Sequence, residues 1–153
     1  MAFNWTESRR RLCLHRLEKW EGTPHRHRRA EMGVGIDCVN LVIDTLKKGG
    51  AIPPDFVVPP YARNVGFMAN TNTALEAFEG AFHTARVDPA DIEAGDIIFF
   101  HELRANNHVG ICMGPDVFHC LWSAGVVRSP VSDVRGKAWG VLRITKSGVR
   151  KHG

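Results

Sequence analysis

Cys38 heads an apolar helical pattern, Asp37-Cys38-Val39-Asn40-Leu41-Val42, and two histidines, His108 and His119, follow in strand-like segments downstream. A thiol is a weak nucleophile and a thiolate a strong one. A helix N-terminus lowers a cysteine's pKa through its partial positive charge and free N–H groups. A neighbouring imidazolium lowers it further, to roughly 3.5–7.5 against about 8.5 for free cysteine. With Asp37 as N-cap, Cys38 is the first helical residue and its side chain points back toward the helix opening. Its own N–H is one of the unsatisfied donors at that end and can stabilise an oxyanion. Taken alone, Cys38 reads at least as well as buried filler. The histidines shift the reading to thiol hydrolase chemistry.

His108 begins the run His-Val-Gly-Ile-Cys-Met-Gly. In a strand, His108, Gly110 and Cys112 share one face, while Val109, Ile111 and Met113 share the other. The second set is apolar and is expected to contact the core. His108 is thereby placed on the more polar face, where it meets Cys38. Gly114-Pro115-Asp116 reads as a hairpin turn, which brings His119 beside His108 as a cross-strand neighbour. A third polar group there holds a base histidine in its working tautomer. Taken singly, each histidine reads equally well as a solvated surface group.

These side chains need a scaffold. Thr6 caps a first helix running to about Trp20, with Cys13, Leu17 and Trp20 on one face. Cys13 is read as a small core residue. Gly22-Thr23-Pro24 breaks the helix, and a basic loop leads to Gly35. The second helix carries Val39, Val42, Ile43 and Leu46 at helical spacing, with Lys47 and Lys48 at its negative end and Gly49 to stop it. Residues 50–72 contain two Pro-Pro pairs and read as an irregular connection that could cover a cleft. Leu75, Phe78 and Phe82 predict a short third helix. Strands are expected over 96–100, 107–113, 117–122, 125–129 and 138–144. Helices first and a meander after predict an α+β fold with helices packed on an antiparallel sheet. The whole chain, 1–153, is expected to be one domain with its core over about 20–144.

Composition narrows the class. The chain has 153 residues, 44% hydrophobic and 24% charged, as in an ordinary globular domain. No apolar run approaches the roughly 18 residues needed to cross a bilayer, so membrane insertion is not expected. The first residues show no basic start followed by an apolar stretch, so no secretory signal is expected and synthesis is read as cytoplasmic. The net charge of +4 is concentrated at the front, in Arg9-Arg10-Arg11 and Arg26-His27-Arg28-Arg29. This is a solvated basic face or a contact for an anionic polymer; no nucleic-acid motif accompanies it. Four cysteines at irregular spacing make no disulfide framework.

Taken together, Gly22-Thr23-Pro24-His25, Asp37-Cys38-Val39-Asn40-Leu41-Val42, Gly95-Asp96-Ile97-Ile98-Phe99-Phe100, His108-Val109-Gly110-Ile111 and Phe118-His119 resemble, in order and spacing, the NlpC-type cell-wall peptidases. That family of cysteine hydrolases is papain-like. The resemblance runs from about Trp20 to Ile144. It implies a papain-like fold with the nucleophile at the N-terminus of a central helix, Cys38 as nucleophile, His108 as base and His119 as the orienting third member. The family has tyrosine where this chain has His25, and Ser-Gly where it has Val39-Asn40. His25 and Asp37 are the expected oxyanion or substrate-binding groups. The short form is most similar to peptidases carried by phage tails and gene transfer agents. This implies peptidoglycan stem peptides as substrate, cut beside D-glutamate and diaminopimelate, with particle proteins as partners. It also implies action in the cell wall or periplasm and no cofactor.

Three other readings compete. His101, His108, Cys112, His119 and Cys120 are a possible zinc set, but this leaves Cys38 unused and matches no common ligand spacing. A non-catalytic tail-tip component would keep the fold without the chemistry. A thiol amidase or acyltransferase on another substrate would use the same three residues.

Overall fold

The first helix forms where its cap and its apolar face agree. In the computed structural model, which describes residues 2–59, 73–102 and 105–150, Thr6 accepts a hydrogen bond from the Arg9 N–H and starts α1 (Glu7–Trp20). Cys13, Leu17 and Trp20 are its buried face. A two-stranded ribbon, β1 (Ala30–Glu31) and β2 (Gly35–Ile36), leads into α2 (Cys38–Lys48). Asp37 caps α2 through the Asn40 N–H at 2.9 Å, and Gly49 follows its last turn. Leu41, Val42, Ile43 and Leu46 are buried along it.

α1 and α2 are joined by a polar contact at the edge of their apolar seam. The Arg16 guanidinium donates twice to the Asp44 carboxylate, at 2.7 and 2.8 Å, and the Trp20 indole N–H donates to the same group at 2.8 Å. Asp44→Ala leaves the buried indole N–H without its acceptor, an expected cost of about 2 kcal/mol. For a chain of this size that lowers the thermal midpoint by about 6 °C, measurable by calorimetry, without altering the Cys38 side of the helix.

The rest of the fold is a sheet with two covered faces. α3 (Thr73–Ala81) runs without a break into β3 (Phe82–Arg86), and a short 3-10 turn (Pro89–Asp91) follows. Then come β4 (Ile97–Glu102), β5 (Ala105–Met113), β6 (Asp116–Leu121), β7 (Gly125–Pro130), α4 (Val131–Arg135) and β8 (Ala138–Val149). The six long strands are ordered β3-β8-β4-β5-β6-β7, and all neighbours are antiparallel. Ile97, Phe99, Val109, Ile111, Phe118 and Leu142 meet Leu17, Trp20, Leu41 and Val42 in the main core. The fold is α+β, helices on an antiparallel sheet, as expected. Residues 51–59 form no helix or strand, and the rest of the expected connection, 60–72, lies outside the described residues. Among the described residues no helix is long and apolar enough to cross a membrane.

The sequence reading of the second face was wrong in character. Ile98, Phe100, Cys112, Val117, Val134 and Val141 form a second buried cluster there, with Val87, Ile92 and Val131 packed against it. His108 is on that face, but the face is dry rather than polar. Alternation over His108, Gly110 and Cys112 could not show this, because the covering groups come from the 87–92 segment and α4.

Candidate active site

The β5–β6 ladder stops before either strand does. Pairing runs from Met113↔Asp116 to Gly110↔His119 and no further, although β5 begins at Ala105 and β6 continues to Leu121. Beyond that point β5 stays with β4, through Val109↔Phe99 and His108↔Phe100. β6 stays with β7, through Cys120↔Val126 and Leu121↔Gly125. The strands therefore fork, and the start of α2 meets the fork. The Val109 N–H, left without a β6 partner, points at the Cys38 thiol, as do the N–H groups of Cys38 and Val39. On the β6 side, the Cys120 thiol donates to the Ile36 carbonyl at 3.3 Å, just before the cap of α2.

The two histidines bridge the same fork. His108 Nε2 and His119 Nδ1 are 2.9 Å apart, and His119 Nε2 is 2.8 Å from the Ser129 hydroxyl on β7. The histidines are 6% and 1% exposed. The Phe100 ring stands edge-on to both, at centroid distances of 4.9 and 5.2 Å. Gly110 makes the close approach possible. A Cβ there would lie 2.8 Å from Val117 Cγ1, 2.9 Å from the Phe118 carbonyl and 3.2 Å from His119 Cβ. Gly110→Ala must therefore push β6 and His119 outward. We expect a loss of turnover of about 100-fold, the scale of an ångström-sized misplacement. A crystal structure of the variant would check the displaced His119.

Burial sets the charge state. The Cys38 thiol is pushed up to about 12 by burial first and by the Asp37 carboxylate second, while the three N–H groups pull it down. The expected depression by the helix end is thus outweighed. Burial also pulls His108 down to about 3, with His119 and His25 adding to it, and His119 down to about 4. All three shifts favour a thiol and neutral imidazoles over a thiolate and an imidazolium.

Asp37 is the cap the sequence predicts, but its carboxylate does not suit the oxyanion-donor role also expected of it. Its Oδ1 accepts from the Asn40 N–H and from Asn40 Nδ2 at 3.1 Å, and its Oδ2 accepts from the Arg28 N–H at 2.7 Å. A 3% exposed carboxylate so occupied is a cap and a loop anchor, and it has no hydrogen to give an oxyanion. Arg28, with φ of 60°, takes the left-handed conformation while its N–H reaches that carboxylate. Asn40, where the family has glycine, is absorbed into the same cap.

A charge on His25 adds to the depression at His108. The His25 backbone pairs with Ile36 beside the start of α2, and its ring is 5.9 Å from that of Trp122, which is 66% exposed. The turn carrying Trp122 is seated by Gly125, whose φ of 74° suits glycine and whose missing Cβ leaves room for the Thr23 carbonyl. That carbonyl accepts from the Val126 N–H at 2.9 Å.

Sequence reasoning missed Ser129. The signal was present: in an antiparallel hairpin, Ser129 opposes Val117 and so shares the face of His119. The zinc set is dispersed, because the Cys112 thiol turns to the Gly114 carbonyl and the Cys120 thiol to Ile36. Among the described residues no three His, Cys, Asp or Glu side chains converge as a metal site.

The fold has counterparts among known proteins. The family model described as NlpC/P60 family matches residues 19–143. A solved structure of a lipoprotein-like NLP/P60 family protein from Staphylococcus aureus is similar at a TM-score of 0.60 and 18% identity. The match covers 94% of this chain and 43% of that one, so the chain spans less than half the staphylococcal protein. The NlpC/p60 domain of the peptidoglycan hydrolase SagA is similar at 0.56 and 15% identity, over 88% of this chain and 98% of that domain. The P60 domain of an antigen from M. avium paratuberculosis is similar at 0.52 and 14%, over 90% and 93%. No curated protein matches. At these identities the structural likeness speaks for the fold, and the family model supplies the assignment over most of the sequence: the chain belongs to the NlpC/P60 family.

Proposed function

We propose that this chain cuts peptidoglycan stem peptides, with Cys38 as nucleophile, His108 as base and His119 as its orienting partner. It is a cysteine hydrolase by family. The finer reading is supported above all by the 2.9 Å His108–His119 bond at the fork where the Val109 N–H meets the Cys38 thiol. His108 Nε2 is engaged with His119, so Nδ1 is the nitrogen left for Cys38.

The mechanism starts from the neutral pair. His108 Nδ1 takes the Sγ proton as sulfur attacks the peptide carbonyl carbon, so that the thiolate forms with the new bond rather than before it. The oxyanion is held by the Cys38 N–H, with the His25 ring as a second donor. The His108 imidazolium then protonates the leaving amine, and the thioester remains on Cys38. His108 next removes a proton from water, which releases the acid product and restores the thiol.

The substrate is taken to be the stem peptide beside D-glutamate and diaminopimelate. Exposed Arg26, Arg28 and Arg29 offer charge to its carboxylates. Delivery by a phage-tail or gene-transfer particle to the wall or periplasm completes the proposal. The direct test is mass spectrometry of purified peptidoglycan after digestion. New stem-peptide termini produced by the wild type and not by Cys38→Ala support the assignment and identify the bond. An intact wall with both proteins counts against it and moves the reading to a non-catalytic component or another acyl substrate. Co-purification with tail particles tests the delivery route.

A further inference from the structure

We propose that Ser129 is a positioning residue that selects the productive tautomer of the histidine pair by accepting the His119 Nε2 hydrogen. The inference rests on the catalytic reading above and extends it by one residue, on a different strand.

The hydrogens along the chain of contacts decide which tautomers are present. Each neutral imidazole carries one N–H, on one nitrogen or the other. His108 can receive the Cys38 proton at Nδ1 only if its own hydrogen is on Nε2. Nε2 is 2.9 Å from His119 Nδ1, so that hydrogen is donated there and His119 Nδ1 must be bare. The His119 hydrogen is then on Nε2, 2.8 Å from Ser129 Oγ, which accepts it. In the reverse arrangement Ser129 donates to His119 Nε2, His119 donates from Nδ1, and His108 is left with its hydrogen on Nδ1, the nitrogen that the catalytic reading assigns to the Cys38 proton. That state cannot act as a base.

The surroundings favour the first arrangement. Ser129 is half-buried on β7 while His119 is almost fully enclosed. The hydroxyl can therefore give its own hydrogen outward to solvent and keep a lone pair for the imidazole. No proton passes through Ser129 in the reaction. One moves from Cys38 Sγ to His108 Nδ1, and the His108–His119–Ser129 contacts keep their direction throughout. This separates Ser129 from the catalytic residues: its influence is exerted through His119.

The test reads the tautomer first and the rate second. Long-range nitrogen–proton NMR on the imidazoles of the folded protein is expected to show His119 as the Nε2–H form and His108 as the Nε2–H form in the wild type. Ser129→Ala is expected to mix the two forms, and Ser129→Thr to restore one. Finding His119 as the Nδ1–H form in the wild type, or unchanged imidazole signals in Ser129→Ala, overturns the proposal. This readout does not require turnover, so a failure of the peptidase reading would be seen separately, as absence of wall fragments with a correct tautomer. With an active wild type, Ser129→Ala is expected to lower kcat about 10-fold with little change in KM, and Ser129→Thr to recover most of it. Loss of KM alone, or no recovery with threonine, counts against positioning. Circular dichroism of Ser129→Ala guards against simple unfolding.

Discussion

Cys38→Ala is expected to abolish release of stem-peptide fragments, with turnover down at least about 1,000-fold and the fold intact. The size follows from the chemistry. Without sulfur there is no acyl-enzyme, and what remains is whatever the N–H groups and binding contribute over water. His108→Ala is expected to fall nearly as far, because a thiol held up to about 12 by burial has negligible thiolate of its own at neutral pH. The double variant should be no worse than either single one, since nucleophile and base act as a unit and their losses do not add. Steady-state rates on a stem-peptide substrate, with circular dichroism beside them, check all three. An additive double variant would mean that the two residues do not serve one step.

A loss of stability on mild acidification is the second large expected effect. In the unfolded chain a histidine titrates near 6.5. In the fold His108 is held near 3 and His119 near 4, chiefly by burial. Between those values the unfolded state binds protons that the folded state refuses, so stability falls as pH drops below about 6.5 and keeps falling until the folded pKa values are reached. At about 1.4 kcal/mol per unit, two such groups amount to a loss on the order of 5 kcal/mol by pH 4, enough to unfold many domains. Replacing both histidines by glutamine should flatten this acid slope. Urea midpoints from pH 7.5 down to 4 measure it. At the alkaline end, buried Cys13, Cys112 and Cys120 hold their protons to between about 11 and 12. Stability is therefore also expected to decline above about pH 9.

What the sequence disclosed and what it hid divide along a physical line. α1 and α2 were legible because cap, apolar period and stop agree locally at Thr6, Asp37 and Gly49. The strands carrying His108 and His119 were legible because Gly114-Pro115 separates two β-rich runs, and the turn alone makes the histidines neighbours. β3 was hidden because Phe82 falls at helical spacing from Phe78 and Leu75, and no turn residue intervenes between α3 and the strand. The 30–36 ribbon and α4 are too short to show a period. The site's electrostatics were hidden for a different reason. The helix end acts locally and can be read from Asp37-Cys38, whereas the burial that outweighs it comes from the main core against which Cys38 packs, brought together only by the tertiary fold. For the same reason the partner of His119 was missed, although its register was available from the hairpin.

The fork in the sheet puts Cys38, His108 and His119 on three parts of the fold that meet at one point. Cys38 rides on the helical layer, His108 on the wing formed by β3, β8, β4 and β5, and His119 on the wing formed by β6 and β7. The His108–His119 bond is then a latch closed across the gap between the wings. Wing spacing and basicity become one mechanical variable. A ligand that wedges the fork apart would silence the site without touching the thiol, and one that draws the wings together would tighten it.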